Sequence, residues 1–278
     1  MKIAVLSGKG GTGKTFVSVN LACCAQRAVY VDCDVEEPNG QLFLKPTITE
    51  TRAIAVTVPE IDGSLCTGCR KCVDFCRYNA LALIQDNLLI FPELCHSCGG
   101  CILFCPPKAL HKKQRAIGVV EVGVAEQVST LSGCLTPGEE SGVPIIQELM
   151  SLIPAQETAI IDCPPGSACI VMESIRDVDY CILVTEPTLF GVHNLAMVLE
   201  LVRLFKKPFG VVLNKSLPGE SPAKSYCQAN QIPILAEIPY EETLGAITSN
   251  GLVAVKESPR YHDLFRRLLD SVTKEAHR

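Results

Sequence analysis

The sequence lacks a surplus of basic charge: 25 Lys and Arg stand against 30 Asp and Glu, for a formal net charge of −5. A polyanion-binding surface needs such a surplus, so nucleic acid is not an expected partner. Long apolar runs are missing as well. No window reaches the roughly 18 apolar residues of a membrane span. Met1-Lys2 leads within a few residues into Ser7-Gly8-Lys9-Gly10, with no cleavable leader before it. The expected compartment is therefore the cytoplasm, without a membrane role. What the sequence holds in abundance is cysteine, 16 residues of it. A chain of 278 residues buries an adequate core without covalent staples. In a reducing compartment cysteine is left as a metal ligand, a reactive thiol or a small buried apolar residue.

Half of these cysteines form a repeat. Cys66, Cys69, Cys72 and Cys76 recur at Cys95, Cys98, Cys101 and Cys105, each offset by 29, and Asn79-Ala80-Leu81 corresponds to Lys108-Ala109-Leu110. A duplicated small module is implied. Outside it, short apolar runs (Ile3 to Leu6, Val29 to Val31, Ala159 to Ile161, Ile182 to Val184, Gly210 to Leu213, Ile234 to Ile238) alternate with helix-length segments. That alternation predicts a doubly wound, mostly parallel α/β sheet. Pro59, Asp62, Gly63 and Ser64 mark the entry to the cysteine module and the polar run His111 to Arg115 its exit. The expected organisation is one α/β domain, residues 1–59 and 113–278, interrupted by an insert over 60–112.

Ser7-Gly8-Lys9-Gly10-Gly11-Thr12-Gly13-Lys14-Thr15 follows the first strand and opens an apolar helix. Glycines let backbone N–H groups wrap a phosphate, the helix N-terminus adds its positive end, Lys14 reaches the β/γ oxygens and Thr15 ligates Mg²⁺. The phosphate-binding set is thus Gly8, Gly10, Gly11, Thr12, Gly13, Lys14 and Thr15. With the second lysine, Lys9, the segment resembles the deviant Walker A family of P-loop ATPases, the MinD/Mrp/ParA group of the nitrogenase iron protein superfamily. That resemblance implies a Mg-dependent ATPase, slow and partner-stimulated. It also implies an ATP-dependent homodimer in which Lys9 reaches the partner's nucleotide. A lysine here can instead serve its own subunit's ATP. By the same resemblance Asp34, in Val31-Asp32-Cys33-Asp34, lies in switch I and orients the attacking water. Asp162, before Cys163-Pro164-Pro165-Gly166, lies in switch II and holds Mg²⁺ through water, while Gly166 approaches the γ-phosphate. Asn214 and the loop Ile238-Pro239-Tyr240-Glu241 resemble the adenine contacts.

Each cysteine run reads C-x₂-C-x₂-C-x₃-C, and Pro106 follows the second, which matches the bacterial ferredoxin run in which the fourth cysteine crosses to the other cluster. Resemblance to ferredoxin implies two [4Fe-4S] clusters in a small α+β insert. One would use Cys66, Cys69, Cys72 and Cys105, the other Cys95, Cys98, Cys101 and Cys76. Structural zinc is the alternative use of so many thiols. Cys169, just beyond switch II, and Cys134 sit at places resembling the ligands of the cluster that the nitrogenase iron protein holds between subunits. One of each per subunit would supply four thiolates to a further shared [4Fe-4S] cluster. Cys23, Cys24, Cys33, Cys163 and Cys181 read as small packing residues.

Three functions follow. The first is a dimeric nucleotide switch coupling ATP to electron transfer through two clusters, with an unidentified redox partner. The second is an iron-sulfur cluster carrier or metallocentre assembly ATPase acting on an apo-metalloprotein, as Mrp-like proteins do. The third is a MinD/ParA-type spatial organiser, which the acidic balance and the insert argue against. The segment from Pro259 onward puts Tyr261, Leu264, Phe265, Leu268, Leu269 and Val272 on one helical face, predicting a closing helix packed on the sheet.

Overall fold

The computed structural model describes residues 1–276. The strands are β1 (Lys2–Leu6), β2 (Ala28–Asp32), β3 (Thr47–Ile61), β4 (Leu81–Ile84), β5 (Asn87–Ile90), β6 (Leu110–Ala125), β7 (Val128–Leu135), β8 (Thr158–Asp162), β9 (Tyr180–Thr185), β10 (Phe209–Ser216) and β11 (Ile234–Pro239). The helices are α1 (Lys14–Cys24), α2 (Gly40–Leu44), α3 (Lys71–Phe75), α4 (Gly100–Leu103), α5 (Val143–Ser151), α6 (Cys169–Ile175), α7 (Leu189–Leu204), α8 (Pro222–Ala229), α9 (Glu242–Ser249), α10 (Ala254–Glu257) and α11 (Pro259–Ala276).

Nine strands make one sheet in the order β11-β10-β9-β1-β8-β2-β7-β6-β3. All pairs from β11 to β7 are parallel, and β6 runs antiparallel to both β7 and β3. The predicted strands are all present, because a sheet covered on both faces needs continuous apolar runs. Within β1 the pleat sends Ala4 and Leu6 to one face, against α5 to α8, and Ile3 and Val5 to the other, against α1 and α11. On that second face Phe265 of α11 is fully buried and meets Phe16 edge-on at 5.7 Å between ring centroids. Burying such a side chain is worth about 2–3 kcal/mol, which fixes α11 as the closing helix. Among the described residues no helix is long and apolar enough to cross a membrane.

At the opposite edge from β11 the structure departs from the expected pattern. The polar run His111 to Arg115 is no break: it belongs to β6, which pairs with β3 from Thr47↔Val124 to Ile61↔Leu110. On β6 of the resulting ribbon His111 to Gln114 are exposed, so this strand carries polar residues where a core strand would be apolar, while the facing Val58 and Pro59 of β3 are buried. The expected boundaries at 60 and 112 fall inside this ribbon. Cys134 lies in β7, opposite Val119. The neighbouring Gly133 is there for close packing, since a Cβ would stand 2.6 Å from Ile145 Cγ2.

Between β3 and β6 the 29-residue repeat is written into the backbone. Left-handed conformations occur at Gly68 and Ser97, at Arg70 and Gly99, and at Asn79 and Lys108. α3 and α4 begin at Lys71 and Gly100. Asp62 N–H donates to Ala109 O at 2.7 Å, and its counterpart Phe91 N–H donates to Ala80 O at 2.9 Å. Each half therefore completes the other's strand pair, Ile61 with Leu110 and Ile90 with Leu81.

Candidate functional site

The parallel strands end together, and the loops following β1, β2, β8 and β9 form the candidate site. After β1 the chain turns through Gly11 (φ 76) and Gly13 (φ 97) into α1. At Gly13 any side chain would also strike Asn214 Nδ2, 2.2 Å from the Cβ position. Asn214 Nδ2 instead donates to Thr12 O at 2.7 Å, which ties the loop to the end of β10. Lys14 is 6% exposed beneath the loop, and the buried Thr12 Oγ1 has no hydrogen-bond partner among the described residues. An orphaned buried hydroxyl beside glycine N–H groups suits a bound phosphate. Gly10, Gly11 and Thr15 lie in the same loop and first turn. Gly166 (φ 91) donates its N–H to Ser7 O at 2.9 Å, which seats the switch II loop on the P-loop.

Asp162 ends β8 in register with Asp32 at the end of β2. Ser18 Oγ donates to Asp162 Oδ1 at 3.1 Å, and Tyr30 OH lies 3.0 Å from Asp162 Oδ2 and 3.3 Å from Asp32 Oδ2. Burial pushes both carboxyls up; at Asp32 the charge of Asp162 adds to this and carries it to about 8, while at Asp162 Lys14 and the hydroxyls of Thr15, Tyr30 and Ser18 oppose the rise. Burial also lifts Asp34 to about 6, opposed by Lys14 and reinforced by Asp162. Crowded, buried carboxyls under the influence of Lys14 are chemically suited to a divalent cation such as Mg²⁺. Asp32, Tyr30 and Ser18 were not singled out in the sequence, although an aspartate ending an apolar strand beside Asp34 was a usable signal.

Lys9 does not point into solvent. Its Nζ pairs with Glu186 Oε2 at 2.5 Å and lies 5.1 Å from the centre of the Phe190 ring. Lys215 Nζ holds the other oxygen of Glu186 at 2.7 Å and donates to Gly11 O at 2.9 Å. Glu186 follows β9, and the two lysines draw its carboxyl below the usual range against the upward push of burial. Beside the loop an open pocket is lined by Phe16, Asn214, Lys215, Pro239, Tyr240 and Leu244, so both sequence-predicted base contacts share it.

The cysteine runs form two further pockets. One is lined by Cys66, Cys69, Cys72 and Cys105, the other by Cys76, Cys95, Cys98 and Cys101. Each takes three thiols from one run and the fourth from the other. Ala109 N–H donates to Cys105 Sγ at 3.3 Å. Among the described residues no three His, Cys, Asp or Glu side chains converge closely enough to hold a metal ion, so these thiols share pockets without standing at ligating distance. His96 is exposed and stacks on Tyr78 with ring centroids 3.8 Å apart. Cys134 and Cys169 are both exposed. Cys169 lines a cleft that reaches from α6 to Cys95 and His96, and Cys134 is not part of that lining. Cys33, Cys163 and Cys181 are fully buried.

The parallel sheet, the glycine-rich turn and the paired strand-end aspartates define a P-loop nucleotide-hydrolysing protein. The chain belongs to the CobQ/CobB/MinD/ParA nucleotide binding domain family, which it matches over residues 3–255, and is a MinD/ParA-type ATPase. An uncharacterised protein of Methanocaldococcus jannaschii is 32% identical over 222 residues, 77% of this chain and 78% of the relative. A second from the same organism is 29% identical over 227 residues, 77% and 80% of the two chains. In fold the chain is similar to the septum site-determining protein MinD of Pyrococcus horikoshii complexed with Mg-ADP (TM-score 0.61, 20% identity, 98% and 96% of the two chains). It is equally similar to the cell division ATPase MinD of Pyrococcus furiosus (TM-score 0.62, 20% identity, 98% of each chain).

Proposed function

We propose that this ATPase is an iron-sulfur nucleotide switch: an ATP-dependent homodimer that times electron transfer through two [4Fe-4S] clusters held in the insert. The observation that carries the reading is the pair of cysteine pockets, each built from both runs, on a ribbon rooted in the nucleotide-binding sheet. Cys66, Cys69, Cys72 and Cys105 would hold one cluster, and Cys95, Cys98, Cys101 and Cys76 the other. Four thiols to a pocket suit a cubane's donor count, and the Ala109 N–H on Cys105 Sγ is the hydrogen bond that steadies a thiolate ligand. Bound there, such clusters supply one-electron transfer.

At the nucleotide end, Gly8 to Thr15 cradle the phosphates, Lys14 balances their charge, and Thr15 and Asp162 hold Mg²⁺. Asp34 orients the attacking water, and Asn214 and Pro239 bound the base. Lys9 leaves Glu186 to reach the nucleotide of a second copy. Switch II is hydrogen-bonded to the P-loop through Gly166 and leads into α6, whose first residue, Cys169, lines the cavity shared with the second cysteine run. Nucleotide state can thus be felt at the insert within one chain.

A second reading, delivery of clusters to an apo-metalloprotein, draws support from the exposure of Cys69 and Cys98, one in each pocket. Protein purified without oxygen should contain about eight irons per chain and give the optical and spin-resonance signals of reducible [4Fe-4S] centres. Iron-free protein with all eight insert cysteines alkylatable would overturn both readings. Cluster transfer to an apo-protein without added reductant would favour delivery over electron transfer.

A further inference from the structure

Asp32 stands 1% exposed at the end of β2 and touches neither solvent nor the phosphate loop. Its oxygens are occupied by the chain that follows. Oδ1 accepts the N–H of Asp34 at 3.2 Å, and Oδ2 accepts the N–H of Gly40 at 2.9 Å. Those two amides bracket the loop that carries Asp34: one lies at its start, the other opens α2. Inside the loop a turn, Glu37 N–H to Asp34 O at 3.0 Å, makes the segment compact. A single carboxylate therefore pins both ends of switch I. The carboxylate is itself fixed from behind by Tyr30, whose hydroxyl stands between Asp32 and Asp162, 3.3 and 3.0 Å away. Tyr30 is 2% exposed and has no freedom to turn away.

We propose that Asp32 is a positioning residue for ATP hydrolysis, which sets the place of Asp34 by holding the amides of Asp34 and Gly40, with Tyr30 as the strut that registers it against Asp162. This rests on the reading of Asp34 as the residue that orients water. A buried carboxyl group accepting two backbone N–H groups is a stiff anchor, because breaking either hydrogen bond would leave a buried polar group without a partner. A displacement of about 1 Å at a reacting group costs on the order of 100-fold in rate. Asp32→Asn keeps the volume but turns an N–H₂ group toward one of the two amides.

The test is single-turnover ATP hydrolysis, MgADP affinity and amide hydrogen exchange on the full chain. Asp32→Asn is expected to lower the hydrolysis rate roughly 10- to 100-fold with MgADP affinity within about threefold. Exchange should quicken at Asp34 and Gly40 and stay unchanged at Gly11 and Gly13. In an Asp34→Ala background, Asp32→Asn should remove nothing further, since the two act as one unit. Tyr30→Phe, which keeps the ring packing, should give a smaller loss of the same kind. Additive losses in the double variant, or equal losses of affinity and rate, overturn the proposal. If Asp34→Ala alone leaves hydrolysis unchanged, the water-orienting reading of Asp34 fails; quickened exchange at 34 and 40 in Asp32→Asn would still establish the anchor, and unchanged exchange would refute it.

Discussion

The two ends of this molecule are ordered by different means. At the nucleotide end, groups that ought to be costly to bury are held rigidly: Lys14, Asp32 and Asp162 are 6%, 1% and 1% exposed, and each sits on a strand or helix packed into a core that covers both faces of the sheet. The insert has a core of Leu81, Leu88, Cys101 and Leu110, while Leu103 and Phe104 are 78% and 54% exposed. The part-buried Ile61, Leu83, Ile90 and Ile102 pack against that core, and the whole remains much smaller than the cores on the two faces of the sheet. The phosphate site is preorganised by packing, whereas on the proposed reading the insert draws its order from the clusters its cysteines would hold.

Two experiments would break that comparison if it is wrong, and both should give large effects. Lys14→Ala should abolish nucleotide binding, a loss of more than about 100-fold by titration calorimetry, and leave the iron content unchanged. Reciprocally, Cys72→Ser with Cys101→Ser should remove a ligand from each pocket and make residues 62–109 proteolytically labile, with cleavage faster by roughly 100-fold. MgADP affinity of that variant should stay within about threefold. An insert that remains protease-resistant without iron would mean that its small apolar core suffices.

The same contrast explains what the sequence disclosed. Core strands such as β8 and β9 were legible because both of their faces are covered, and the phosphate loop because its chemistry is local in sequence. The insert's repeat was legible because each half is a short stretch with fixed cysteine spacing. The ribbon of β3 and β6 was not: β6 carries the exposed His111 to Gln114 where a buried strand would carry valines. Tyr30 and Glu186 escaped for another reason. Their partners, Asp162 and Lys9, come together only when the strand order is known, and nothing in the sequence states that β2 neighbours β8 or that β1 neighbours β9.

At the nucleotide end the proposed dimer can be tested through Lys9, where a smaller effect is expected. In this chain Lys9 is paired with Glu186, and the exposed side chains Leu189 and Phe190 flank it. If Lys9 acts across a dimer, Lys9→Ala should eliminate ATP-driven dimerisation, measured by analytical ultracentrifugation, and leave ATP binding to the monomer within a few fold. Unchanged dimerisation would contradict the trans role. Glu186→Gln tests the hold on Lys9 from the other side. Part-exposed ion pairs are worth at most about 1 kcal/mol, so the variant should dimerise roughly fivefold more tightly with ATP. Weaker dimerisation would instead assign Glu186 to the interface itself.

The smallest effect concerns whether the comparison is strict, that is, whether thiols at the nucleotide end also hold iron. Cys134 on β7 and Cys169 at the start of α6 are exposed, unlike the packed Cys33, Cys163 and Cys181. Exposure at the end of the sheet that carries the switches is what a ligand shared between two copies requires. A shared cubane would raise iron from about eight to about ten per chain, and Cys134→Ser should return it to about eight with both insert clusters intact. Ten irons retained in Cys134→Ser would remove Cys134 from any such site. Eight in the parent protein would confine iron to the insert, and the switch would then have to act on the clusters through the cavity between Cys169 and Cys95 alone.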